Sequence, residues 1–197
     1  MEARKTLPAA VETPRLRLRT WQASDGEAFA ALNADTRVME FFPKLLSRAE
    51  SDNLIAILQA HIDQRGYGFW AAELRDGGEF IGFIGIQVPR AALPFAPCVE
   101  IGWRLAHAHW GRGYATEGAN ASLELGFGEL GLEEIVSFTA FHNERSLNVM
   151  RKLGMTEDGQ TFEHPNVPAG HPLRVHRLYR LQRAAGRART GSDCREM

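Results

Sequence analysis

Trp110-Gly-Arg-Gly-Tyr-Ala-Thr-Glu117 joins the end of an alternating strand pattern directly to a helix pattern rich in small residues. Gly111 and Gly113 allow a tight turn and let the backbone approach a ligand with no Cβ in the way. The helix that follows points unpaired N–H groups, and about half a positive charge, at the same spot. A pyrophosphate is a natural occupant of such a junction. The same letters also suit an ordinary glycine turn between strand and helix, so the flanking sequence has to decide.

Upstream, Cys98 to Leu105 alternates, with Val99, Ile101, Trp103 and Leu105 on one face and Glu100, Gly102 and Arg104 on the other. Downstream, Tyr114 to Leu130 carries Ala115, Gly118, Ala119, Ser122, Leu123, Gly126, Phe127 and Leu130 along one side of a helix, and Gly131 stands where a C′ glycine belongs. Small residues in its first turns predict close packing on a sheet. Ile135 to Phe141 is a β-branched and aromatic strand; His142-Asn143 ends it before a short helix that runs to Leu153 and stops at Gly154. Thr156 to Phe162 and Leu173 to Leu181 are two more strands, separated by the loop Glu163 to Pro172.

Towards the N-terminus, Arg15 to Trp21 alternates as a strand, and Ser24-Asp-Gly-Glu27 and Ser47-Arg-Ala-Glu50 have the capping-box spacing ahead of two helices. Phe69 to Leu74 and Glu79 to Val88 flank Arg75-Asp-Gly-Gly78 as a hairpin, and Pro89 to Pro97 is a proline-rich loop. The order is strand, two helices, three strands, helix, strand, helix, two strands. It predicts a mixed α/β domain of about seven strands and about four helices, spanning 13–182, with an N-terminal lead at 1–12 and a mobile polar tail at 183–197.

The bulk numbers are those of an ordinary globular domain: 197 residues, 44% hydrophobic and 24% charged. A formal net charge of −1 gives no electrostatic case for a nucleic-acid binder. Cys98 and Cys194 are the two cysteines, too few for a disulfide framework or a cysteine zinc site. Met1 to Arg15 has no apolar signal-like core, and no window approaches ~18 uninterrupted apolar residues. The expectation is a cytoplasmic protein without a membrane partner; monomer and homodimer stay open.

Together with Asn143-Glu-Arg-Ser146-Leu-Asn-Val-Met-Arg-Lys-Leu-Gly154-Met155, this order and the Trp110–Thr116 loop resemble the GNAT superfamily of acetyl-coenzyme A-dependent N-acetyltransferases. The likeness is to its ribosomal-protein N-terminal acetyltransferase branch and runs from about Thr13 to about Leu181. It implies a mostly antiparallel twisted sheet splayed at the cofactor site. It also implies acetyl-coenzyme A as co-substrate, no metal, and an amine acceptor that is either a small molecule or a protein N-terminus. The family's pyrophosphate loop falls on Trp110, Gly113 and Ala115. The resemblance therefore implies diphosphate binding by backbone from Gly111 through Arg112, Gly113, Tyr114 and Ala115 to Thr116. Leu105, Ala106 and His107 would offer backbone bonds to the pantetheine arm, and Asn143 would touch the cofactor. Two departures stand out: Trp110 replaces the usual Gln or Arg, and Met150 replaces the tyrosine that protonates the leaving thiolate. Ser146, three residues after the Asn, is a candidate donor in its place.

Glu100 is the candidate general base, because an amine must lose a proton near neutral pH. A carboxylate there can equally pair with Arg104 or face solvent. Asn143 also suits a helix N-cap, and Ser146 a local backbone bond. His107, His109 and His142 are further potential bases. His164, His171 and His176 match no metal-ligand spacing, and their loop suits the lining of an acceptor pocket, together with Phe41 to Leu46 and Pro89 to Pro97. A non-catalytic acetyl-coenzyme A sensor or interaction module is the alternative that Met150 favours.

Overall fold

The computed structural model describes residues 10–183. Its elements are β1 (Ala10–Glu12), β2 (Leu16–Arg19), α1 (Asp25–Ala34), α2 (Arg48–Arg65), β3 (Phe69–Leu74), β4 (Phe80–Gln87), β5 (Glu100–Leu105), α3 (Tyr114–Glu124), β6 (Glu134–Ala140), α4 (Glu144–Lys152), β7 (Thr156–Glu163) and β8 (Val175–Gln182). One eight-stranded sheet has the order β1-β2-β3-β4-β5-β6-β8-β7. Every neighbouring pair is antiparallel except β5 and β6.

That parallel pair positions the site. A single register pair, Glu100 with Val136, joins the two strands. Val136 N–H donates to Val99 O at 2.9 Å, and Ser137 Oγ donates to Ile101 O at 3.0 Å. Beyond these bonds the strands diverge toward their C-terminal ends. The wedge is possible because each strand still has a full antiparallel partner on its other side, β4 and β8, so few backbone groups lose their ladder.

Alternation in the strands supplies the core. Leu16, Leu18, Trp70, Ile81, Ile84, Ile86, Ile101 and Ile135 are all at most 2% exposed. The small-residue face of α3 lies on this sheet as its sequence predicts: a Cβ on Gly118 would stand 2.6 Å from Ile84 Cδ1. Leu125–Glu129 then widens into a π-helical turn, so the regular helix is shorter than the predicted Tyr114–Leu130. Gly126 packs against Ile135 there, and Gly131 follows with a φ of 65°.

Other differences from the sequence reading have local causes. Ala10–Glu12, inside the N-terminal lead, pairs with β2 and makes the eighth strand. Ser47 forms its capping box with Glu50, but Ser24 caps nothing. Ser24 sits in the helical region of backbone space instead of the extended one, so its hydroxyl is not held over the third helical N–H. Asp25 is drawn instead into a buried pair with Arg19, both oxygens at 2.8 Å, while Glu73 takes Arg19 Nε at 2.6 Å. Arg183 is tied to Glu133 through its backbone N–H; the rest of the predicted tail lies outside the described residues.

Candidate active site

The diverging strands enclose a cavity of about 590 Å³, lined by β5, the end of β6 and the first turns of α3 and α4. Gly111 and Gly113 both take the left-handed conformation, with φ of 74° and 83°. Among the described residues, the N–H groups from Gly111 to Thr116 meet no acceptor, and Glu117 is the next to find one, at Gly113 O. Six consecutive unpaired donors, the last three opening a helix, form a site that an anion completes. Arg15 pins the loop from outside by donating to Arg112 O at 2.9 Å and pairing with Glu117 at 2.6 Å. Burial acts to raise the Glu117 carboxyl, but hydrogen bonds from Thr13 and Arg15 together hold it below the usual carboxylate range.

Glu100, Gly102 and Arg104 share one face of β5, and all three line the cavity. Phe69 lies over Gly102, whose missing Cβ would stand 2.8 Å from its ring, and stacks on Phe83 at 5.0 Å between centroids. Glu100 accepts from Gln87 Nε2 at 2.7 Å. Burial pushes its carboxyl up to about 7, against the opposing effect of the Gln87 bond. The pair with Arg104 is not made. Arg104 donates to Asn33 Oδ1 at 2.7 Å, and its guanidinium lies 4.0 Å from the Phe42 ring centroid.

On the opposite wall Asn143 is the N-cap of α4. Its Oδ1 accepts from Ser146 N at 3.3 Å, and its Nδ2 donates to Thr139 Oγ1 at 2.8 Å and Ser146 Oγ at 3.2 Å. Both amide protons are therefore spent locally, and Asn143 orients Ser146. Accepting that bond leaves the Ser146 proton available, and it has no acceptor among the described residues. Met150, 1% exposed, makes the adjoining wall apolar.

Trp110 does not merely remove a phosphate donor. Its Nε1 donates to Leu105 O at 2.8 Å, tying the loop back to the end of β5, and its ring lies 4.8 Å from the Arg145 guanidinium. Arg145 also pairs with Glu40, strapping α4 to the segment after α1 across the cavity mouth. Much of the backbone at Leu105 to His107 is thereby committed within the protein: Ala106 N–H to Ile81 O, Ala106 O to His109 N–H, and His107 O to Trp110 N–H.

Of the residues singled out by sequence, Glu100, Leu105, Trp110, Gly111, Gly113, Tyr114, Ala115, Thr116, Asn143 and Ser146 come together around this cavity. Ala106, His107 and Arg112 are not among its lining residues; the His107 ring covers Trp110 from outside. His109 is buried at the lining with Nε2 3.2 Å from Glu79, and His142 is exposed against Phe141. His164 and His176 meet at 4.9 Å among Phe138 and Phe162, and burial pushes His176 down to about 4. His171 turns away to accept from Leu173 N. No group of three metal-ligating side chains occurs among the described residues. Phe41 to Pro43 and His164, Asn166 and Val167 reach the cavity, but the Pro89–Pro97 loop does not; its Phe95 packs behind the wall against Phe138 and Phe162. Sequence reasoning missed Asn33 and Arg145. An Asn in the last turn of an apolar-faced helix is the one signal that could have marked the first of them.

The family model for the acetyltransferase (GNAT) domain matches residues 15–156. An uncharacterized protein of Bacillus subtilis, YkkB, is 34% identical over 146 residues, covering 73% of this chain and 83% of YkkB. The crystal structure of an acetyltransferase from Agrobacterium tumefaciens superposes with a TM-score of 0.71 at 28% identity, covering 92% of this chain and 98% of that one. RimL, a ribosomal L7/L12 α-N-protein acetyltransferase solved with coenzyme A, shares the fold at a TM-score of 0.69 and 17% identity, covering 88% of this chain and 97% of RimL. With its glycine loop at the mouth of a splayed sheet, the chain belongs to the GNAT family of acetyl-coenzyme A-dependent acetyltransferases.

Proposed function

We propose that the protein acetylates a primary amine by direct transfer in a ternary complex, with both substrates in the β5–β6 cavity. The observation that carries this reading is that Glu100 and the open N–H groups of residues 111–116 face one cavity. Those donors and their glycines fit a diphosphate, and acetyl-coenzyme A supplies the activated thioester carbonyl. Glu100, with its carboxyl at about 7, accepts the proton that the amine nitrogen sheds as its bond to the acetyl carbon forms. Ser146 donates a hydrogen bond through its hydroxyl to the departing thiolate, in the place that Met150 leaves apolar, and Asn143 holds the Ser146 oxygen in position; the thiolate takes its proton from solvent, to which Glu100 returns the one it accepted. Gly111 to Thr116 hold the cofactor's diphosphate through their open backbone N–H groups, and Trp110, whose Nε1 is spent on Leu105 O, adds no donor. The fold shared with ribosomal-protein acetyltransferases supports an amine acceptor without choosing between a small molecule and a protein N-terminus.

Thiol release from acetyl-coenzyme A across a broad amine panel tests the proposal. Acetylated amine should accumulate in step with thiol. Tight cofactor binding with no amine-dependent release would instead make the protein a cofactor sensor.

A further inference from the structure

We infer that Arg104 is the docking point for a carboxylate on the acceptor, so that the preferred substrates are amines that also carry a carboxylate. This rests on the acetyl-transfer reading above and names its substrate class.

A buried cation is costly unless an anion or a full set of acceptors replaces its water. Elsewhere the chain obeys that rule: Arg19 is buried against both Asp25 and Glu73. Arg104 has no carboxylate within ion-pair distance among the described residues. Its hydrogen-bond acceptor is the neutral Asn33 Oδ1, and its Nε is closed to solvent with no partner at all. Asn33 cannot be spared for another task, because it is fully buried and its Nδ2 is held by Ser51 Oγ at 3.2 Å. Desolvation with nothing to offset it pushes the guanidinium down to about 10. The group remains a cation at neutral pH and an incompletely satisfied one.

The guanidinium packs against Phe42 at 4.0 Å and Phe83 at 5.3 Å, and with one donor held by Asn33 its remaining terminal donors are left as a fork at the cavity. A carboxylate accepts such a fork through two parallel bonds. Glu100 is four residues back on the same face, about 13 Å away along the strand, and Phe69 covers Gly102 between them. An acceptor can thus lie along this face with its amine toward Glu100, an apolar middle on Phe69, and its carboxylate at Arg104.

The test uses matched acceptors that differ only in charge. 6-Aminohexanoate against 6-aminohexanamide represents a small-molecule amine with an apolar middle, and tetrapeptide amides with Glu or Gln at the second residue represent a protein N-terminus. The wild-type enzyme should favour the carboxylate member of one set by about 100-fold in kcat/KM, chiefly through KM. Arg104→Gln should erase that preference while acetyl-coenzyme A affinity, by calorimetry, stays within about twofold; Arg104→Lys should keep part of it. Equal use of both members by the wild type, or an undiminished preference in Arg104→Gln, overturns the inference. If no amine in either set is acetylated, the anion site is measured alone by titrating 3-phenylpropionate and 3-phenylpropionamide into the coenzyme A-loaded protein, and the transfer reading is left to the broad amine panel. Tighter carboxylate binding that Arg104→Gln removes would uphold the site, and equal affinities would overturn it.

Discussion

Glu100 owes its chemistry to its position on β5: burial beside Gln87, with no cation paired to it, keeps its carboxyl protonated up to about pH 7. As the base it must be ionised, so kcat/KM should climb as pH rises through about 7 and then level. Glu100→Gln should flatten that limb and lower the plateau by about 100-fold or more. A variant with the wild-type profile would remove Glu100 from the mechanism. The same shift bears on stability. A folded-state value above the unfolded value of 4.5 means that the native protein binds more protons between these limits. The contribution is present below pH 4.5 and lost as pH rises through 7. Glu100→Gln should therefore stabilise at pH 8, by at most about 3 kcal/mol, with the gain vanishing near pH 4; melting curves at both values check it. Glu100 was legible in the sequence because it interrupts an apolar alternation. The state of Arg104 was not, because its partner Asn33 is 71 positions away and comes from a helix on the other side of the hairpin.

At the level of elements, the glycine loop and the helix caps make the clearest commitments. Gly113 is the N-cap of α3 with φ of 83°, beside Gly111 and the unpaired donors. Gly113→Asp adds strain, bulk and negative charge where a diphosphate belongs, and calorimetry should find acetyl-coenzyme A binding abolished in a folded variant. Unchanged affinity would move the cofactor elsewhere. Ser47→Ala should cost about 1 kcal/mol and Ser24→Ala almost nothing in urea melts, although both serines have the same sequence signature. Local spacing could not tell them apart: the difference comes from the buried Arg19–Asp25 pair, which settles where α1 begins. The π-helical turn after α3 was hidden in the same way, since Gly126 is fitted to Ile135 across the interface and not to its own helix. By contrast, the hairpin at Arg75-Asp-Gly-Gly78 was readable from its letters, and both of its glycines have positive φ.

For the whole molecule, the alternation of apolar and polar residues was enough to give the order of elements, and the short β1 escaped because three residues carry no period. The splay of β5 from β6 was not written in either strand; it is a property of a parallel pair held at one end by Glu100 and Val136, and only the likeness to the GNAT family announced it. That opening puts the anion-seeking loop, Glu100 and Ser146 around one 590 Å³ space, which is why the account requires both substrates to be bound together. Initial velocities of thiol release, measured while acetyl-coenzyme A and an accepted amine are varied against each other, test this most directly. The account predicts double-reciprocal lines that intersect, the signature of a ternary complex. Parallel lines, with acetyl retained on the protein when the amine is withheld, would contradict it.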